Sequence, residues 1–277
     1  MSDGDPEKAV TSASLREAAR HVYGGDAAGY AQGRPEYPEQ VYDVLRGRCG
    51  LHEGSEVLEI GPGTGLATRR LLAYGAQVVA VEPDEGMAKF LTGTLGGPHL
   101  EVLGGTFEQA ALPSGAFDLA VAATSFHWVD LAAGLPKLGR ILRPGGWVAL
   151  WWTIFDDPDR PDPFRDATAR LLGDADLGGQ RRRSSFQLDT AQRSRDLERL
   201  GGFEDVRSRL ILSSVRFTSA QIRAFYGSLI EVRRRPPVER RSVLDAIQAI
   251  AEHDFDGEVT RPFVTVLYTA RRPRPPG

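Results

Sequence analysis

Val57-Leu58-Glu59-Ile60-Gly61-Pro62-Gly63-Thr64-Gly65-Leu66 is the stretch on which the reading of this 277-residue chain turns. A short apolar run reads as a buried strand, three closely spaced glycines read as a tight turn, and Leu66 to Tyr74 reads as an amphipathic helix. A strand, loop, helix unit of this kind cradles a ligand. Gly61 and Gly63 let the backbone take conformations closed to other residues, and the helix N-terminus offers unpaired N–H groups. The loop alone leaves the ligand open: a dinucleotide fingerprint reads G-x-G-x-x-G, and here Leu66 stands where its third glycine belongs.

Downstream, Gln77 to Val81 is a β-branched strand that ends in Glu82-Pro83-Asp84, and a helix is expected from Glu85 to Leu95. Glu82 follows Gly61 by about twenty positions, where a fold of this kind places the carboxylate that holds a ribose diol. A surface acid at a strand end is the plainer alternative, and the pairing with the glycine loop favours ribose. His99 to Leu103 reads as strand three. Phe117 to Thr124, apolar and small-sided, reads as a strand in the middle of a sheet, and it delivers Ser125-Phe126-His127-Trp128-Val129-Asp130 at its carboxyl end. Leu131 to Leu142 is expected to be helical, Arg143 to Gly146 a turn, and Trp147 to Thr153 strand five. Alternating strands and helices predict an α/β fold with a parallel sheet covered on both faces.

Upstream, residues 1–14 are small, polar and aperiodic and read as a disordered tail. Residues 15–48 read as N-terminal lid helices, with Tyr30-Ala31-Gln32-Gly33-Arg34-Pro35-Glu36-Tyr37-Pro38 as an extended entry into a helix from Glu39 to Arg48. The cofactor-binding core is placed at 49–153 and an insertion or cap at 154–204, rich in Pro, Asp and Gly, with helices near Phe164 to Leu172 and Thr190 to Leu200. Over 205–272, a strand from Val206 to Phe217, helices Ser219 to Glu231 and Pro237 to His253, and a strand from Val259 to Ala270 complete the sheet. These last two strands are expected to pair antiparallel at one edge.

A composition of 41% hydrophobic and 26% charged residues is that of an ordinary globular protein. The longest nearly apolar run, Trp147 to Phe155, is too short to span a bilayer, and the acidic Met1 to Lys8 stretch is no leader, so a cytoplasmic protein without a membrane partner is expected. The net charge of −3 gives no reason to expect nucleic acid. Cys49 is the only cysteine and His21, His52, His99 and His253 are scattered, so no disulfide, redox centre or metal site is expected. Arginine supplies most of the positive charge. The clusters Arg181-Arg182-Arg183 and Arg233-Arg234-Arg235 would suit an anionic substrate, although solvated helix faces are the commoner explanation.

Taken together, Val57 to Leu66, Glu82, Gly105 to Glu108, Phe117-Asp118-Leu119 and Leu142-Arg143-Pro144-Gly145-Gly146 resemble the class I S-adenosylmethionine-dependent methyltransferases. Tyr30 to Pro38 and Ser125 to Asp130 are similar to the small-molecule branch that includes trans-aconitate methyltransferases. Pro62 departs from the Cys or Ala more often found in that branch. The resemblance implies a Rossmann-like, seven-stranded, mostly parallel sheet with an antiparallel last strand, and S-adenosylmethionine as cofactor with S-adenosylhomocysteine as product. It further implies that Glu59, Gly61, Gly63, Gly65 and Leu66 border the methionine end, with Tyr30 and Arg34 closing over its carboxylate. Glu82 would hold the ribose, Pro83 and Met87 would pack beside the adenine, and Thr106, Phe107 and Glu108 would lie on its other side. Ala123 and Thr124 would lie near the sulfonium.

For the acceptor, His127 follows the central strand and would act as a general base toward a hydroxyl or amine, or would orient a carboxylate. A packing role beside Phe126 and Trp128 is the alternative. Tyr23, Phe126, Trp128, Trp152, Phe155, Arg223 and Tyr226 complete the candidate acceptor wall. Core packing is the default for Trp147 and Trp151, which fall on one strand face, and for Trp152 on the other. The function expected is methyl transfer to a carboxylate or hydroxyl oxygen of a small molecule, by a monomer or homodimer. The alternatives are N- or C-methylation in natural-product biosynthesis, a non-catalytic S-adenosylmethionine-binding protein, or an NAD-dependent oxidoreductase.

Overall fold

The strand that opens the nucleotide-type unit also opens the sheet, and every later strand is placed by reference to it. The computed structural model describes residues 24–155, 159–172 and 186–275. The expected tail, the helix expected over Leu15 to Tyr23, Tyr23 itself and Arg181 to Arg183 lie outside these residues. Two helices come first, α1 (Ala27–Gly33) and α2 (Glu39–Gly47). The core then runs β1 (Glu56–Ile60), α3 (Thr68–Ala73), β2 (Gln77–Glu82), α4 (Glu85–Leu95), β3 (Leu100–Gly104), β4 (Phe117–Ala123), α5 (Leu131–Ile141) and β5 (Leu142–Ile154). The remainder is α6 (Pro163–Leu172), α7 (Thr190–Arg199), β6 (Glu204–Thr218), α8 (Ser219–Gly227), α9 (Ile230–Arg233), α10 (Pro237–Asp254) and β7 (Glu258–Arg271).

The seven strands lie in the order β3-β2-β1-β4-β5-β7-β6. The pairs among β1 to β5 are parallel, and β7 runs antiparallel to both β5 and β6. This is the α/β, mostly parallel sheet expected from the alternation of elements. The strand order reverses between β1 and β4, and ligands of open α/β sheets bind beside the carboxyl ends of strands at such a switch point.

Both sheet faces are covered. One buries Leu58, Ile60, Leu135, Leu138, Trp152 and Tyr268, and the other buries Val57, Leu71, Val121, Trp151 and Leu267. Burying one such side chain contributes about 1.5–3 kcal/mol, so the pleat of β1 and β5 fixes which face each residue takes. The tryptophans follow it: Trp151 packs on one face with Trp147 against it, and Trp152 on the other. A third cluster joins α6, α8, α9 and α10 to the ends of β6 and β7, through Phe164, Phe225, Tyr226, Ile247 and Phe263.

Three local readings change. The helix expected from Leu66 begins at Thr68, because Gly61, Gly63 and Gly65 all sit at positive φ and keep the loop out of helical geometry until then. The expected turn at Arg143 to Gly146 continues into β5, since Gly145 N donates to Arg272 O at 2.9 Å and Arg272 N to Gly146 O at 2.8 Å. The helix expected from Ser219 to Glu231 breaks at Leu229, whose ψ of 140° is extended, giving α8 and α9. Among the described residues no helix is long and apolar enough to cross a membrane.

One close approach sets the position of α1. A Cβ on Gly33 would overlap the carbonyl oxygen of Ala224, so α1 lies directly on α8. Ala in place of Gly favours a helix by about 1 kcal/mol, but overpacking against backbone costs about 1–3 kcal/mol, so the clash wins. Gly33→Ala is therefore expected to loosen α1: by amide exchange, the Tyr30 and Arg34 amides should exchange about tenfold faster while those of β1 do not change.

Candidate active site

A cavity opens at the switch point, lined by Tyr30, Arg34, Tyr37, Ile60, Gly61, Pro62, Gly63, Thr64, Leu66, Ala67, Val81, Glu82, Pro83, Met87, Thr106, Phe107, Glu108, Ala123, Thr124, Ser125, His127, Trp128 and Val129. The floor is the glycine loop. Gly61 has φ +64°, and a Cβ there would stand 2.6 Å from Ser125 Cβ, so β1 and the end of β4 approach as only glycine permits. Gly63, at φ +57°, would direct a Cβ into open space.

Glu82 is 6% exposed at the end of β2. Its Oε2 accepts from Gly63 N and its Oε1 from Asp84 N, each at 2.9 Å. Asp84 in turn accepts from Met87 N at 3.0 Å and caps α4, which places Met87 on the cavity wall. The opposite wall is the Thr106 to Glu108 loop, held by Lys137, whose Nζ donates to the carbonyls of Phe107 and Ala110 at 2.6 Å.

Glu59 points the other way from the cavity. It is fully buried on the sheet face beneath α3, where its Oε2 accepts from Thr68 Oγ1 at 2.7 Å and its Oε1 has no partner among the described residues. Burial pushes its carboxyl up to about 7, the Thr68 hydroxyl opposes this, and the charge of Glu82 adds to it. Gly65 also leaves the cavity wall: a Cβ there would meet Leu91 and Leu95, so it serves the packing of the loop on α4.

At the other end, Thr124 holds φ +58°, a strained value for a β-branched residue of the kind that gathers at functional sites. Its N donates to Trp151 O at 2.7 Å and its Oγ1 accepts from Tyr37 OH at 3.2 Å. Arg34 stacks on the rings of Tyr30 and Phe155, each 4.7 Å from its guanidinium carbon, and donates through Nη2 to Ser228 O at 3.0 Å. Its buried Nε has no partner among the described residues. His127 Nδ1 accepts from Trp152 Nε1 at 3.0 Å, and burial pushes the imidazole down to about 4.

Of the residues proposed for the cofactor, all but Glu59 and Gly65 line this cavity. Of the described residues proposed for the acceptor, His127 and Trp128 do. Phe126 is 1% exposed and turns into the sheet core, because the 3₁₀ turn Phe126–Trp128 sends neighbouring side chains to different sides. Trp152 and Phe155 stand one layer back, behind His127 and Arg34. Tyr226 is buried in the third cluster, where its hydroxyl accepts from Arg261 Nη1 at 2.8 Å beside the buried Arg261–Asp162 pair. Arg223 pairs with Asp245 and lines a separate groove with Arg233, Arg240 and Arg241. Tyr37 is the main omission. It sits in the quoted Tyr30 to Pro38 stretch, but only the tertiary contact with Thr124 reveals its place.

A strand order reversed at β1/β4, an antiparallel β7 and this cavity define the class I methyltransferase fold. The family model described as "Methyltransferase domain" matches residues 58–150. An uncharacterized methyltransferase of Geobacillus kaustophilus is 32% identical over 171 residues, covering 58% of this chain and 78% of that one. An uncharacterized methyltransferase of Mycobacterium tuberculosis is 37% identical over 135 residues, which is 49% of this chain and 53% of its own length. The chain thus spans about half the length of that relative. Among solved structures, a putative type II methyltransferase from Anaeromyxobacter dehalogenans matches with a TM-score of 0.61 at 20% identity, over 87% of this chain and 99% of that one. The chain belongs to the methyltransferase family.

The raised Glu59 gives a pH signature. Its folded-state value near 7 lies above the ordinary 4.5, so the native state holds the proton more tightly than the unfolded chain. The stability that Glu59 contributes should therefore be fully present below pH 4.5, fall as pH rises through 7, and level off above. Glu59→Gln, which keeps an acceptor for Thr68, is expected to remove this component, of order 3 kcal/mol across the window. Denaturant titrations of both proteins from pH 5 to pH 8 measure the difference in slope.

Proposed function

We propose that this chain transfers the methyl group of S-adenosylmethionine to a carboxylate or hydroxyl oxygen of a small molecule. The observation that carries the reading is Glu82, a buried carboxylate tied to the glycine loop at the strand switch point. The ligand carries a diol, a purine and a methionine carboxylate, and the cavity offers a counterpart for each of these three. Glu82 would take the ribose hydroxyls, and Met87, Pro83 and Phe107 form an apolar slot for the adenine. The unpartnered Arg34 Nε is a donor suited to the methionine carboxylate.

When bound, the cofactor supplies an electrophilic methyl group on a cationic sulfur. The chain's own work is to hold donor and acceptor in line and to exclude water, which accounts for much of the rate in such a displacement. Tyr30, Arg34 and Tyr37 cover the cavity from α1 and the segment after it, and the strained Thr124 fixes the backbone where the acceptor would approach. The likeness of Tyr30 to Pro38 and Ser125 to Asp130 to the trans-aconitate methyltransferase branch supports a small organic acid as acceptor.

Calorimetry tests the cofactor half. S-adenosylhomocysteine is expected to bind and NAD not to; Glu82→Gln should weaken S-adenosylhomocysteine about 10- to 100-fold, as the loss of charge-assisted hydrogen bonds predicts. Binding of NAD alone, or an unchanged affinity in Glu82→Gln, would overturn the reading.

A further inference from the structure

The contact with the most chemical consequence lies behind the cavity wall. Trp152 stands on β5, 2% exposed, and its ring meets Phe186 and Tyr268 edge-on with centroids 6.0 Å away in each case, so the indole is fixed. Its Nε1–H donates to His127 Nδ1 at 3.0 Å. An indole nitrogen can only donate, so Nδ1 must carry a lone pair, and a neutral imidazole then bears its proton on Nε2. The low basicity that burial gives His127 keeps the ring neutral near pH 7.

His127 lines the cavity, and in that state its one lone pair is taken by Trp152, so it can donate to an acceptor oxygen but cannot serve as its base. A hydroxyl acceptor needs a group that takes its proton. Nε2–H has no lone pair to offer, and moving the proton to Nδ1 would set two N–H groups against each other inside the core. A carboxylate needs no base.

We propose that Trp152 is a positioning residue that holds His127 as an Nε2–H donor, and that the methyl acceptor is therefore a carboxylate of a small molecule rather than a hydroxyl. This rests on the reading of the cavity as a methyl-transfer site. One carboxylate oxygen accepts from Nε2–H. A lone pair of the carboxylate forms the new O–CH3 bond as the S–CH3 bond breaks, and the S–C electron pair returns to sulfur. The products are a methyl ester and the neutral thioether, and no proton moves.

The tautomer is tested directly on the full chain with 15N-labelled histidine, by long-range proton–nitrogen correlation at pH 7. The expected spectrum shows His127 protonated on Nε2 only, with the Nδ1 resonance displaced in Trp152→Phe. A protonated Nδ1 or an imidazolium overturns the proposal, and the wild-type spectrum decides this even if Trp152→Phe does not fold. The acceptor class is tested with methyl-labelled S-adenosylmethionine and two sets of probes: benzoate, butyrate and succinate beside benzyl alcohol, butanol and butanediol. An alkali-labile product that releases labelled methanol is expected. His127→Gln, which keeps a donor but no base, should retain turnover within about tenfold, whereas His127→Leu loses about a hundredfold. An alkali-stable ether, or equal losses in the two variants, overturns the proposal. Failure of the cofactor reading shows separately, as absent S-adenosylhomocysteine binding.

Discussion

The carboxylate of Glu82 is the constraint from which the rest of the site follows. Its two oxygens take the amides of Gly63 and Asp84, so one side chain at the end of β2 fixes the glycine loop after β1 and the turn into α4. A nearly buried carboxylate is costly unless N–H donors surround it, and these two are set by the strand ends themselves. Its charge also acts on Glu59, which burial already disfavours in the ionised form and which the Glu82 charge disfavours further. Two acids on neighbouring strands are thereby separated in place: Glu82 lines the cavity, and Glu59 is retained as a polar core group.

The end of the cavity beside β4 and α1 is arranged differently. There His127 and Arg34 are held by partners that do not touch the cavity, and Thr124 by a partner that does. Trp152 holds His127, Phe155 stacks under Arg34, and Tyr37 bonds the strained Thr124. Such supporting contacts set ring orientation and tautomer, which determine chemistry more finely than residue type does.

This difference explains what could be read from the sequence. Strand and helix order, the antiparallel β7, the glycine loop and the acid Glu82 follow from short-range spacing, and the resemblance to class I methyltransferases adds Met87 and the Thr106 to Glu108 loop; each of these cavity positions lies within a few residues of a strand end. Trp152, Phe155 and Tyr226 were drawn toward the acceptor wall by their place near strand and helix ends, and the structure sets them behind it or, for Tyr226, in another cluster. Their facing depends on register across β5 and β7 and on the packing of α8, which the local pattern does not encode. Glu59 follows the same rule: the pleat that puts Leu58 and Ile60 on one face puts Glu59 on the other, beneath Thr68.

The two ends also differ in how far the chain reaches to build them. Gly63 and Glu82 meet across 19 residues, whereas Arg34 bonds Ser228 across 194, and Tyr37 meets Thr124 across 87. The part of the cavity made from consecutive βα units keeps its geometry as long as β1 and β2 pair in register. The wall that carries Arg34 instead borrows from α1, α8 and the third cluster, whose packing can change without moving a strand of the central sheet. Changes in α8 or around Phe155 would reach Arg34, and changes around Trp152 would reach His127, while Glu82 and the glycine loop stayed where they are. The layer behind the cavity therefore orients His127 and Arg34 independently of the glycine loop.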